Sequence, residues 1–366
     1  MIFCYNCFSD TEIQNRIKSH ANGGNCSVCR KNNSFIYNTE SDDYLNGVFD
    51  KIINLYTPVS SISTGIPASK QTFLKNEMLN TWHIFNNLSD EQVYQITVEL
   101  SPDLYKESPE LFDTPIINTQ FFDDSCLKEN SILKGYSWEE FVNSLKFKNR
   151  FHTNYINTDI LKIFCSYIRK PYKKGTRFYR GRISTEHGFL FEEMSAPKKN
   201  LVTDGRANSA GIRRLYLAND IPTTIHEVRA GAFDYVSVGC FELQQDITIV
   251  DFKLINQISP ITENLNALQY LINREYLNKI NDEMGKAMRQ SDSPLDYIPT
   301  QYIADFIQSI MHDNKHEYDG IEYRSTLYPK GFNLAIFNPD LFTCISVEVH
   351  KIKELKYDTS QVLSGY

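Results

Sequence analysis

The 366-residue sequence contains no uninterrupted apolar run approaching the roughly 20 residues that a helix needs to cross a bilayer, so a membrane span is not expected. Residues Met1 to Asp10 lack both the basic and the apolar segments of a secretory signal, which points to a soluble, cytoplasmic protein. Three motifs are missing: G-x-x-x-x-G-K-[ST], a strand-following G-x-G-x-x-G, and G-x-S-x-G. Their absence argues against a P-loop, a Rossmann dinucleotide fingerprint and a serine nucleophile elbow. There are only 2 Trp, and no internal repeats or low-complexity tracts.

What is present is an ordinary globular balance, 41% hydrophobic and 23% charged, with 22 Tyr and 23 Phe. The length suits two domains of about 150 residues each, with a small appended module. The net charge of −7 is too acidic for a protein whose whole surface grips nucleic acid. From Arg169 to Arg214, however, 12 Lys or Arg face 4 acidic residues, a local +8 that leaves −15 for the remainder. Such an island fits one localised anionic ligand or an ordinary solvated basic face.

Eight cysteines fall into two groups. Cys126, Cys165, Cys240 and Cys344 are solitary and read as small hydrophobes. Cys4-x2-Cys7 and Cys26-x2-Cys29, with 18 residues between the pairs, have the spacing of a tetrahedral Cys4 zinc site. Four thiolates leave no open coordination position, so this metal is expected to hold a fold, with Gly23-Gly24-Asn25 supplying turn backbone. No dense Arg/Lys patch accompanies the module, so nucleic-acid binding is not expected.

Apolar spacing predicts a helix over residues 41–56, capped by Ser41 or Asp42, and capping boxes at Ser89–Gln92 and Ser137–Glu140 open two more. Residues 171–176 read as a polar turn. Beyond it, strands are expected at 177–183, 212–218, 235–243, 247–252, 320–323, 333–337 and 343–349, and helices at 265–289 and 300–311. Asp220-Ile221-Pro222 marks one more helix start. The fold class is therefore α+β, divided into a zinc-ribbon-like module (1–40), a helical domain (41–150), a mixed strand-and-helix domain (151–350) and a tail (351–366). His312 and His316, four apart in a polar segment, read as solvent-facing.

Four segments carry the chemistry: Phe178-Tyr179-Arg180-Gly181-Arg182; Gly205-Arg206-Ala207-Asn208; Leu215-Tyr216-Leu217-Ala218 followed by His226-Glu227; and Asp319-Gly320-Ile321-Glu322-Tyr323-Arg324-Ser325. Their order over roughly residues 154–345 resembles the RES domain family, which includes the toxins of RES–Xre pairs. The paired cysteines and helices ahead of it look like the HEPN-like region that precedes some RES domains. One departure is Ala207, where many members carry an aromatic residue.

The resemblance implies an ADP-ribosyltransferase-like fold that acts on NAD+ as substrate, cleaving the nicotinamide–ribose bond in a toxin or antiphage effector. It also implies an antitoxin or regulatory partner, and a homo-oligomer is open. Cleavage builds positive charge at the anomeric carbon, which a carboxylate stabilises; Glu227 takes that role, or is a surface Glu in a first helical turn. Arg180 and Arg206 offer planar cations suited to a pyrophosphate. Tyr216 stacks on the nicotinamide or packs in the core, and Ser325 orients Glu227 or caps a strand end. Tyr179, Asn208 and His226 complete the candidate set. Two alternatives remain: a protein ADP-ribosyltransferase using the same pocket, and a zinc-ribbon binding module with an inactive RES domain.

Overall fold

The computed structural model describes residues 1–62, 65, 67–286 and 293–356. The chain forms two compact units, Met1–Gly135 with Asn256–Arg274, and Tyr136–Ile255 with Glu275–Tyr366. The tail expected at 351–366 lies outside the described residues from 357 onward, as does the last part of the helix expected to reach 289. Among the described residues no helix is long and apolar enough to cross a membrane.

In the first unit, β1 (Ile2–Cys4), β2 (Gly23–Gly24) and β3 (Ser34–Asn38) form an antiparallel sheet in the order β1-β3-β2. The glycines expected to form a turn are thus a short strand paired with Ser34 and Phe35. Helix α1 (Thr11–Ser19) is N-capped by Asp10, whose side chain accepts from the Ile13 N–H at 2.9 Å. Its Ile13 and Ile17 are fully buried, as are Phe3, Phe8 and Tyr37.

The helix expected over 41–56 is reduced to one turn, Asp50–Ile53. The apolar side chains do enter the core (Leu45, Phe49, Ile52 and Ile53 are fully buried). The backbone, however, bends at Gly47, whose φ is +70° and whose N–H donates to the Leu100 carbonyl at 2.7 Å. Helix α2 (Asp90–Leu100) starts at the Ser89–Gln92 capping box as expected. The start of the long helix Ala267–Gly285 belongs to this unit, where Asn273 bonds the Asn130 carbonyl and the Ile132 N–H.

The second unit opens with α3 (Trp138–Phe147), begun by the Ser137–Glu140 capping box, and α4 (Thr158–Tyr167). Its strands are β4 (Arg169–Tyr172), β5 (Arg177–Ser184), β6 (Leu215–Ala218), β7 (Tyr235–Leu243), β8 (Ile247–Asp251), β9 (Gly320–Arg324), β10 (Phe332–Ile336) and β11 (Phe342–Lys351). They form a mixed eight-stranded sheet in the order β11-β7-β5-β6-β10-β9-β8-β4, antiparallel except for β8 beside β9. The polar turn expected at 171–176 is thus partly strand: Pro171 is tolerated because β4 is an edge.

One irregularity in this sheet shapes everything that follows. β5 pairs with β7 from Arg177 to Ser184, but with β6 at a single position, Tyr179 opposite Ala218. The sheet therefore divides between β5 and β6. On one face lies the core of Phe178, Met194, Leu215, Leu217, Phe241 and Ile336. On the other, Val236 and Val238 meet Ile221, Ile225 and Val228 of helix α5 (Ile221–Val228).

Helix α5 is capped by Asp220, with Pro222 in its first turn, as the sequence suggests. The unit also contains the end of helix α6 (Ala267–Gly285) and α7 (Ile298–Ser309). His312 and His316 are exposed on a hairpin whose turn residues Asp313 and Asn314 both have positive φ. Of the solitary cysteines Cys165 is buried and the other three are half-buried.

Candidate functional site

A cleft of about 300 Å³ opens where β5 and β6 diverge, lined by side chains from β5, β6, β9, β10 and α5 together with Arg206 and Tyr297. Of the sequence candidates it gathers Tyr179, Arg180, Arg206, Tyr216 and Glu227. Gly181 sits between Arg180 and Arg182 on β5 and allows α5 to lie close: a Cβ there would come within 2.8 Å of Thr224 Cγ2 and 3.0 Å of Val228 Cγ1.

Glu227 falls in the last turn of α5, not in a first turn. There the helix dipole disfavours a carboxylate, and two donors, one just after β9 and one on β10, offset that cost. The Ser325 hydroxyl donates to Glu227 Oε1 at 2.6 Å, and the Asn333 amide to the same oxygen at 2.8 Å. Ser325 is itself fixed, accepting from the Tyr328 N–H at 3.1 Å, and the Tyr328 ring stacks on His226. Ser325 does not line the cleft; it reaches the site through the carboxylate. Asn333 lines it and was not among the sequence candidates.

Among the described residues Arg180 has no hydrogen-bond partner at Nη1, which is buried. Burial, with the Arg182 charge nearby, pushes its pKa down to about 10. An orphaned guanidinium nitrogen in a cleft is a donor awaiting an anionic acceptor. Arg206 is anchored from the other side: its Nη1 donates to the Glu283 and Met284 carbonyls at 3.1 Å each, at the C-terminus of α6, where a cation is favoured.

Asn208 does not line the cleft. Its Oδ1 accepts from the Tyr216 hydroxyl at 2.7 Å and its Nδ2 bonds the Thr203 and Ser209 carbonyls. The Tyr216 hydroxyl also accepts from the Ala207 N–H, and burial pushes its pKa up to about 12. Gln301 donates to the Gly205 and Asn208 carbonyls and Arg214 to the Ala207 carbonyl, so the loop bearing Arg206 is tied at several points.

Much of the basic island is paired elsewhere: Arg169 with Glu317, Lys170 with Asp251 and Glu322, Lys173 with Asp246, Arg177 with Glu242, and Arg214 with Asp305. Its contribution to the cleft lining is Arg180 and Arg206.

Residues 178–359 match the family model of the RES domain. This chain belongs to the RES domain family. The match starts later and ends later than the 154–345 read from the motifs, and it contains every cleft-lining residue. The RES family is associated with enzymes that act on NAD. No curated protein and no solved structure matches the chain.

Ahead of the RES domain, the four paired cysteines converge. Cys4 and Cys29 sulfurs are 3.5 Å apart, Cys7 and Cys26 sulfurs 3.6 Å, and all four lie within 4.8 Å of one another. Disulfides would bring sulfurs to about 2.05 Å, whereas four Zn–S bonds of about 2.3 Å in a tetrahedron separate them by roughly 3.8 Å. Three of the cysteines are buried and Cys29 is exposed. A backbone N–H, that of Cys29, also donates to the Cys26 sulfur at 3.3 Å. The donor set fits a closed zinc-type site that organises β1, β2 and β3.

Proposed function

We propose that the RES domain consumes NAD+, cleaving its nicotinamide–ribose bond in an ADP-ribosyltransferase-like site, and that the protein acts in the cytoplasm as a toxin or antiphage effector. The observation that carries this reading is a buried, partnerless Arg180 nitrogen sharing a cleft with a carboxylate, Glu227, that is held through one oxygen. Arg180 and Arg206 bind the pyrophosphate. Tyr179 and Tyr216 present ring faces to the nicotinamide nucleotide. Asn208 acts indirectly, by fixing Tyr216.

Glu227 Oε2, which neither of the two donors engages, faces the positive charge that develops at the anomeric carbon. Ser325 and Asn333 hold that carboxylate in place before the reaction, so little reorganisation is needed at the transition state. Zinc on Cys4, Cys7, Cys26 and Cys29 supplies structure when bound and takes no part in this chemistry.

The test is nicotinamide release from NAD+ by the purified chain with water alone, with added phosphate, and with added protein. Release without a protein acceptor is expected, and Glu227→Ala should lower it by about 10²–10³-fold or more and relieve growth arrest on expression. Release by wild type only when protein is added and labelled would move the reading to a transferase. Undiminished release by Glu227→Ala would refute the assignment.

A further inference from the structure

We propose that the Tyr323 hydroxyl contacts substrate in this cleft, donating a hydrogen bond to a hydroxyl of the ribose on the nicotinamide side; the assignment rests on the cleft being a nucleotide site.

The argument starts from strand register. Tyr179 lies opposite Ala218, Ala218 opposite Asn333, and Asn333 opposite Tyr323, so β5, β6, β10 and β9 contribute one continuous row. Residues directly opposite on antiparallel strands share a face, and all four line the cleft. Ala218, the smallest of the four, leaves depth between the two tyrosines. Along β9 the alternation sends Glu322 to the other face, where Lys170, Lys253 and Tyr172 engage it, and turns Tyr323 toward the cleft.

Tyr323 is 5% exposed, yet among the described residues its hydroxyl has no hydrogen-bond partner. Tyr216 differs, since its hydroxyl both donates and accepts within the protein. The hydroxyl is not sealed off: it borders the cleft, where solvent reaches it in the free protein and a ligand can supply the acceptor. Arg206 and Glu227 both act on Tyr323 electrostatically, and burial pushes its pKa well up, so it remains a protonated donor across the physiological range. The guanidinium groups answer to phosphate and the carboxylate to the anomeric carbon. The ribose lies between those two parts of the nucleotide, and its hydroxyls suit a neutral phenol.

The experiment measures kcat/KM for nicotinamide release from NAD+ and from analogues lacking the 2′- or the 3′-hydroxyl of that ribose, using the full chain and Tyr323→Phe. Tyr323→Phe should lose about tenfold on NAD+. For one analogue, the preference for NAD+ should also shrink by about tenfold relative to wild type, because the enzyme and substrate changes remove the same bond. Its thermal midpoint should hold or rise, since no protein partner is lost. Unchanged preferences for both analogues, or a midpoint lowered by more than a few degrees, would overturn the assignment.

If wild type releases no nicotinamide, the reading of the reaction falls, and Tyr323 is judged by calorimetry with ADP-ribose. About tenfold weaker binding by Tyr323→Phe then supports the contact. Equal affinity, or no binding to either protein, refutes it.

Discussion

Arg180 is where stability and activity should part company. Its guanidinium lies on β5 with Nη1 buried and partnerless, and burial beside the Arg182 charge lowers its pKa to about 10. The unfolded chain solvates the same group freely. Folding therefore carries a penalty that is present in full at any pH below about 10 and fades above it. After allowance for partial exposure, that penalty is roughly 2 kcal/mol at pH 7.

Arg180→Met keeps the length of the side chain and removes the charge. For a unit of this size, about 2 kcal/mol should raise the thermal midpoint by about 4–8 °C. The same substitution removes a charge-assisted contact to phosphate worth about 1.5–3 kcal/mol, so the KM for NAD+ should rise by about 10- to 150-fold. The assays are a thermal melt at pH 7, with and without pyrophosphate, and nicotinamide release. Pyrophosphate should raise the wild-type midpoint and leave that of Arg180→Met unmoved. A variant that melts lower and keeps its KM would show that Arg180 is satisfied within the fold and serves stability, which would refute the reasoning.

Gly181→Ala places a methyl group against Thr224 and Val228, so α5 and Glu227 must shift; nicotinamide release should fall about tenfold or more, with a stability loss of roughly 1–3 kcal/mol read from the melt. Asn333→Ala and Ser325→Ala should each lower kcat about tenfold with little change in KM, and the double variant should lose less than the product because both donors serve Glu227 Oε1. Chelation should unfold residues 1–40, seen as four newly titratable thiols and protease cleavage ahead of the RES domain, while nicotinamide release persists; loss of release would show that the metal supports the cleft.

The elements legible in the sequence are those whose causes are local. The capping boxes at Ser89 and Ser137 and the Asp220 cap each put the signal for a helix start within a few residues of it, and all three helices form there. The helix expected over 41–56 failed for the opposite reason. Its apolar spacing is real, and those side chains are buried, but a bond from Gly47 to Leu100, 53 residues away, selects turns over a helix. β4 was missed because Pro171 reads as a breaker unless the strand is known to lie at a sheet edge, and edges are decided by pairing.

The candidate site divides along the same line. Arg180, Arg206, Tyr216 and Glu227 stand in short motifs and are legible from residue order alone. Asn333 stands outside those motifs, and Tyr323, though inside one, carried no assigned role there, because β10 and β9 look like buried strands and their residues reach the cleft through a register spanning four strands. That register also explains why the cleft exists at all. A sheet fully paired between β5 and β6 would cover its backbone and leave no room for a nucleotide. A sheet paired there once, at Tyr179 and Ala218, opens beside Arg180 while keeping Asn333 within reach of Glu227. The orphaned guanidinium of β5 and the doubly held carboxylate of α5 border that one opening, and Gly181 packs against α5 beside Arg180, which is why substitutions at Gly181 should disturb both.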